Sequence, residues 1–371
     1  MGKQVIGLGA GRKKQSYMEP FLTPLGPVIW RKFAPMAIRS YPETSERVIC
    51  AMKSAIKQPK TKVGRLLKRG LLTLQYNGAR RIFERDPQAI AAVWNGLNGT
   101  RRVFADAAQD AGCKRLLFEL GPLPNTLTVD PNGVNFHNSL PRRPDPYLTW
   151  YQNMAPHHDM WRSVARKISQ RQALKPSQQE ANGLPDLSAP FVFVPLQVPG
   201  DSQLRLFGGL YRTVPEMIAM LCKMAPLLPE GWHIRVKEHP SSPVSFADLI
   251  PAREARIHID NSTDTFSQVQ AAQLVLTTNS SVGLEAMFFE KPVVAVGDCF
   301  WAIQGIAHDA RDPAALREVF DNPSRVSFDA QSRSAFLEFL CQEYYLNPNE
   351  PLGAKLKIER RLNGDWGFGD A

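Results

Sequence analysis

A chain of 371 residues, 43% hydrophobic and 22% charged, has the make-up of a globular enzyme long enough for two domains with their own cores. No apolar run approaches the ~20 residues that a membrane-spanning helix needs, and the start, MGKQVIGLGAGRKKQ, lacks the apolar centre of a secretory signal, so a cytoplasmic protein is expected. The formal charge of +10 is concentrated toward the front of the chain, and no nucleic-acid module or aromatic-basic repeat accompanies it.

The basic residues gather early. Lys53, Lys57, Lys60, Lys62, Arg65, Lys68, Arg69, Arg80 and Arg81 lie among Leu66, Leu67, Leu71, Leu72 and Leu74. Such a segment suits a solvated helix face, and it also suits an anionic membrane surface or the guidance of an acidic substrate. Next, Pro87–Trp94 runs as helix or strand into Asn95-Gly96, and 100–112 has helical periodicity. Arg115–Phe118 is a short strand ending at Glu119, and TLTVD and GVNFH around Pro131-Asn132-Gly133 read as a hairpin. The polar stretch from Ser169 to Pro190 reads as a linker. Beyond it, the apolar strand Phe191–Pro195 leads to Gln197, Asp201 and Ser202, and 214–228 is a helix. Strand 234–236 delivers Lys237, Glu238, His239 and Pro240, and strand 274–276 delivers Thr277 through Ser281. After Pro313 the chain reads as mainly helical with an irregular end.

The five cysteines are scattered, odd in number and without a C-x-x-C pair, and His157 and His158 adjoin each other with no helix-spaced partner. Neither a disulfide framework nor a metal site is expected.

The two polar clusters, KEHP and TTNSSVGLE, both fall at the carboxyl ends of strands, where open α/β sheets bind ligands. A phosphate fits this pattern best. Asn279 and Ser280 are good N-cap residues, and the amides of Ser281, Val282 and Gly283 are expected to face an anion at the positive end of the helix dipole. His239 supplies a donor from the neighbouring strand. Read as structure alone, NSS caps a helix and HP ends a strand.

Ordered motifs over roughly residues 90–300 resemble the capsular polysaccharide biosynthesis glycosyltransferases that transfer the acidic sugar Kdo. They are WNG at 94–96, FELG and TLTVDPNGVNF at 118–136, PLQVPGDSQ at 195–203, KEHP at 237–240, and NSSVGLEAM with EKPVVAVG at 279–297. The resemblance implies a GT-B-like α/β fold, two Rossmann-like domains facing across a cleft. Residues 1–175 would be an N-terminal acceptor domain carrying Glu119, 176–190 a linker, 191–330 a C-terminal donor domain and 331–371 a helical segment.

The implied donor is CMP-Kdo or a related CMP-activated acidic sugar, used as a substrate with no further cofactor. The implied acceptor is a capsule glycan or a lipid-linked oligosaccharide. Carried over, His239, Ser280 and Ser281 hold the phosphate. Glu285 sits a turn further along, within reach of the ribose; Gln197 orients the Asp201 loop or the sugar; Lys237 and Arg205 are candidate counter-charges. Asp201 matches the nucleophile of a retaining reaction and Glu119 its acid/base partner, although Leu120 stands where better-known members carry a second acidic residue. The sequence has no D-x-D, and a monophosphate leaving group carries less charge than a diphosphate, so metal independence is expected. Peripheral contact with the inner membrane and with capsule assembly proteins follows from the resemblance. Two other readings stay open: a nucleotide-sugar epimerase of similar fold, and a non-catalytic partner in capsule biosynthesis or export.

Overall fold

The structure, a computed structural model of the chain, describes residues 3–154, 159–172 and 184–368. It divides into two compact units: 1–121, 125–139 and 343–367 form the first, and 122–124, 140–342 and 368–371 the second.

In the first unit, β1 (Val5–Leu8), α1 (Arg12–Leu22), β2 (Val28–Arg31), α2 (Thr44–Ser54), α3 (Lys62–Arg85), β3 (Ile90–Trp94), α4 (Gly99–Asp110), β4 (Lys114–Leu120) and β5 (Leu127–Asp130) follow in order. The sheet runs β2-β1-β3-β4-β5, parallel except for the last pair. Strand β3 is buried along its whole length, as the inner strand of a sheet covered on both faces must be. Val5, Phe21, Trp94, Leu116, Phe118 and Val129 build the core.

The hairpin therefore differs from the expected one. The strand 127–130 folds back on β4, with Glu119 opposite Thr128, and GVNFH forms no strand. The cause is Asp130, whose buried carboxylate accepts from the amides of Asn132, Gly133 and Ser139 and from the Ser139 hydroxyl, closing a loop where a second strand was expected.

The second unit contains α5 (Asp145–Asn153), α6 (Met160–Gln172), β6 (Phe191–Pro195), α7 (Ser202–Phe207), α8 (Val214–Met224), β7 (His233–Lys237), β8 (Ile257–Ile259), α9 (Thr265–Ala271), β9 (Leu274–Thr277), α10 (Ser281–Met287), β10 (Val293–Ala295), β11 (His308–Asp309), α11 (Pro313–Asp321) and α12 (Ala330–Phe339). Its sheet, β11-β10-β9-β6-β7-β8, is parallel throughout. Helix α8 starts at a full capping box between Thr213 and Glu216 and buries Val214, Met217, Ile218 and Leu221 in the core.

Two expected boundaries shift. The first unit gives up the chain at 139 rather than 175, because α5 and α6 pack on α12: Tyr147 meets Phe336 and Phe339 edge-on, and the Trp161 amide donates to Glu338 at 3.0 Å. The segment 331–371 is not one piece either, since α12 belongs to the second unit while α13 (Ala354–Leu362) rejoins the first through Ala354 and Ile358. Of the expected linker, residues 176–183 lie outside the described residues, as do His157 and His158.

Candidate functional site

In the second sheet the chain order reverses between β6 and β9, which makes their carboxyl ends the topological switch point where open α/β sheets take ligands. The residues delivered there interlock. Gln197 Nε2 donates to Asn279 Oδ1 at 2.9 Å, and Asn279 Nδ2 donates to the Gln203 carbonyl at 3.0 Å. Between them, Gly200 (φ 78°) turns the chain, and Asp201 becomes the N-cap of α7 by accepting from the Gln203 amide at 2.8 Å. One carboxamide, Asn279, thus joins the β6 loop to the start of α10.

Ser280 is the N-cap of α10, and its hydroxyl accepts from the Val282 amide. The Gly283 amide goes to the Ser280 carbonyl at 3.1 Å. Two of the amides expected to face an anion are engaged within this first turn, so the groups presented at the edge are the Ser280 and Ser281 side chains rather than a row of N–H groups. Ser281 is exposed, and Glu285 is half-buried further along the helix. Gly283 packs against Trp301: a Cβ there would lie 2.7 Å from its ring and 2.8 Å from Thr277 Cγ2.

From β7, His239 Nδ1 accepts from the Ser241 amide at 3.0 Å, which places the neutral ring's proton on Nε2. Burial lowers its pKa while the negative charge of Asp201 acts the other way, so the imidazole and this carboxylate share one electrostatic neighbourhood. A side-chain network holds the loop. Glu238 accepts from the Phe246 amide, the Ser245 hydroxyl and Asn261 Nδ2. Lys237 Nζ donates to the carbonyls of Asn261 and Thr263 at 3.0 and 2.6 Å, and its burial lowers its pKa. An ammonium engaged in this way ties β7 to the loop after β8, a structural use in place of the expected counter-charge to the donor. Beneath it, Arg235 and Asp260 form a buried ion pair at 2.9 Å. Burial acts to raise the Asp260 pKa, but hydrogen bonds from Thr263, Ser262 and Arg235 prevail and hold it at about 2. Arg205 is half-buried on α7.

Glu119 belongs to the first unit, at the carboxyl end of β4. Its Oε2 accepts from Asn95 Nδ2 at 2.7 Å and its Oε1 from the Leu120 amide at 3.0 Å, so both oxygens act as acceptors. Asn95 occupies the left-handed region (φ 67°) just after β3, and its own Oδ1 accepts from the Leu97 amide. Arg101 is half-buried, and this desolvation lowers its pKa while the charge of Glu119 acts to raise it. Asn95 and Arg101 were not singled out as site residues. The Asn-Gly after a strand was visible, but its bond to a carboxylate 24 residues away was not. Among the described residues, no group of three His, Cys, Asp or Glu side chains is set to hold a metal ion.

Two α/β units with mainly parallel sheets, one carrying polar residues at its switch point, have the architecture of the GT-B fold. The KpsC β-Kdo 2,7-transferase of Thermosulfurimonas dismutans shares this fold with a TM-score of 0.50 over 96% of this chain and 99% of that one, at 13% identity. By its match over residues 157–345, the chain belongs to the capsule polysaccharide biosynthesis protein family. It is 31% identical over 262 residues to protein FixF of Sinorhizobium fredii, covering 70% of this chain and 60% of that protein. It is 24% identical to the capsule polysaccharide export protein KpsS of Escherichia coli, covering 54% of this chain and 65% of that one. The chain thus spans less than two thirds of both curated relatives.

Proposed function

We propose that this chain transfers Kdo, or a related acidic sugar, from a CMP-activated donor to a capsule glycan or a lipid-linked acceptor, with retention of configuration. The observation that supports it most is the meeting of Asp201, Asn279, Ser280 and His239 on one sheet edge, where a carboxylate lies beside groups suited to a phosphate.

The His239 Nε2–H and the hydroxyls of Ser280 and Ser281 hold the phosphate, and Glu285 meets the ribose. Gln197 and Asn279 fix the Asp201 loop. Asp201 attacks the anomeric carbon as CMP departs, forming a glycosyl-enzyme through an oxocarbenium-like state. The acceptor hydroxyl then attacks the same carbon, its proton passes to Glu119, and the Asp201 carboxylate is released. Asn95 Nδ2 and the Leu120 amide would orient the Glu119 carboxylate for this task.

Incubation with CMP-Kdo and an oligosaccharide acceptor tests this reading: CMP is released and the acceptor lengthens. Asp201→Ala and Glu119→Gln each lower turnover by at least ~100-fold, the scale of lost acid/base or nucleophilic help, while CMP binding persists. His239→Ala weakens CMP binding instead. An isomerised sugar formed without acceptor would identify an epimerase, and no reaction on any acceptor would favour a non-catalytic partner.

A further inference from the structure

The first turns of α3 carry an apolar stripe that stays exposed among the described residues. Val63, Leu66, Leu67, Gly70 and Leu71 recur at i, i+3, i+4, i+7 and i+8, one face of a helix, and Leu66 and Leu67 are 70% and 69% exposed. Further along, Leu72, Tyr76, Ala79 and Phe83 are buried. By the helical period they lie on the opposite side, so the stripe points away from the core.

A second segment extends the same surface. The Ala37 amide donates to the Leu74 carbonyl at 3.0 Å, and the Pro35-Met36 backbone lies so close to Gly78 that a Cβ there would come within 2.3 Å of it. Leu74 and Gly78 continue the row of Val63, Leu67 and Leu71. The loop laid on them holds Phe33, Met36 and Ile38 outward at 73%, 56% and 89% exposure.

The charge along this stretch is positive overall, with Arg47 paired to Asp110 and Arg80 to Glu84 at its two ends. From Arg47 to Phe83 the chain has ten Lys and Arg residues and no Asp or Glu. Lys62, Arg65, Lys68 and Arg69 lie beside and behind the stripe, and Lys57 and Lys60 precede it.

The geometry points to this face as a docking surface for an anionic phospholipid bilayer. Aliphatic side chains outward, with long cations beside them, match a helix lying in the membrane plane: leucines enter the acyl boundary and lysines and arginines reach back to the phosphates. Single-stranded nucleic acid would favour outward cations with stacking rings. A protein interface core is depleted of lysine. No described helix is long and apolar enough to cross a membrane, so the contact is one of lying on the surface. The inference is independent of the donor and of the reaction.

Cosedimentation of the full chain with vesicles of phosphatidylcholine, alone and mixed with phosphatidylglycerol, is the test. Binding is expected to the mixed vesicles and to weaken with salt. The double variant Leu66→Glu, Leu67→Glu should lower it by about tenfold or more, and Phe33→Glu should also lower it. Replacing Arg65, Lys68 and Arg69 by Gln should remove the preference for anionic vesicles. Circular dichroism and thermal melting of these variants stay unchanged, since every altered side chain lies outside the core. Lack of binding to either vesicle overturns the inference, and so does binding that the Leu66, Leu67 pair leaves unaltered. A dimer seen by gel filtration, lost in the leucine variant and without vesicle binding, overturns it in favour of a second copy of the chain.

Discussion

Asn279 uses both ends of its carboxamide, accepting from Gln197 Nε2 at 2.9 Å and donating to the Gln203 carbonyl at 3.0 Å, and so fixes the Asp201 turn against the start of α10. Asn279→Ala breaks both bonds, each worth about 1 kcal/mol. CMP affinity measured by calorimetry should fall about tenfold. Asn279→Asp keeps the acceptor for Gln197 but cannot donate to Gln203, so it should fall between. Equal affinity in all three proteins would exclude the clamp.

Asn95 positions Glu119 and also accepts a left-handed backbone, and two variants separate these tasks. Asn95→Gly tolerates φ 67° yet loses the 2.7 Å bond to Glu119. Turnover should fall by about tenfold with CMP affinity retained, on the scale of one charge-assisted hydrogen bond, and the lost bond from the Leu97 amide should lower the melting temperature slightly. Asn95→Val adds strain at a position that β-branched residues avoid, and should lower the melting temperature further than the glycine variant does.

Acid should destabilise the second unit through His233. Its ring is buried against Phe191 and His258, Nε2 has no hydrogen-bond partner among the described residues, and burial first, then the charges of His258 and Arg235, lower its pKa to about 4 from the usual 6.5. Below 6.5 the unfolded chain takes the proton and the folded one does not. Stability present above pH 6.5 is therefore lost as pH falls toward 4, by up to about 3 kcal/mol. Burial lowers the His258 pKa too and adds in the same direction. Thermal melts between pH 7 and 4 check this, and His233→Phe should flatten part of the slope.

Gly283 has no space for a side chain. Gly283→Ala places a Cβ against Trp301 and Thr277 and should cost about 1–3 kcal/mol of stability. Trp301→Leu, which removes the ring atoms concerned, should recover part of that loss in the double variant. A strictly additive pair, read by chemical denaturation, would show that the two positions do not meet.

Metal chelation should leave turnover intact, because a monophosphate leaving group can be balanced by an imidazole and hydroxyls. Activity lost on EDTA treatment and restored by a divalent cation would contradict this.

Strand β6 was readable because a buried parallel strand is a continuous apolar run, as FVFVP shows, whereas the equally apolar IAAVW of β3 fits helix or strand alike, and the four-residue strands β1 and β2 are too short to stand out. The polar residues at the carboxyl ends of β6, β7 and β9 marked the edge for the same reason. The hairpin was misread because an Asx-type loop and a strand turn share the residues Asp, Pro, Asn and Gly, and only the burial of Asp130 distinguishes them. The amide row of α10 was misjudged since a serine can cap its own helix and leave fewer N–H groups facing outward. Lys237 looked like a ligand residue, yet its partners are carbonyls more than twenty positions on, which no local pattern announces.

The return of α13 to the first unit bears on how the protein can be dissected. Arg361 is buried there and donates to the carbonyls of Val129 and Tyr344, with Ile358 beside it in the core. A fragment ending at residue 139 would keep all five strands and still strip them of this cover, exposing apolar surface around Leu116 and Phe118. Expression trials of the first sheet alone therefore need both ends of the polypeptide, joined by a short tether in place of the intervening two hundred residues or so, a layout in which chain topology rather than sequence position sets where a cut is tolerated.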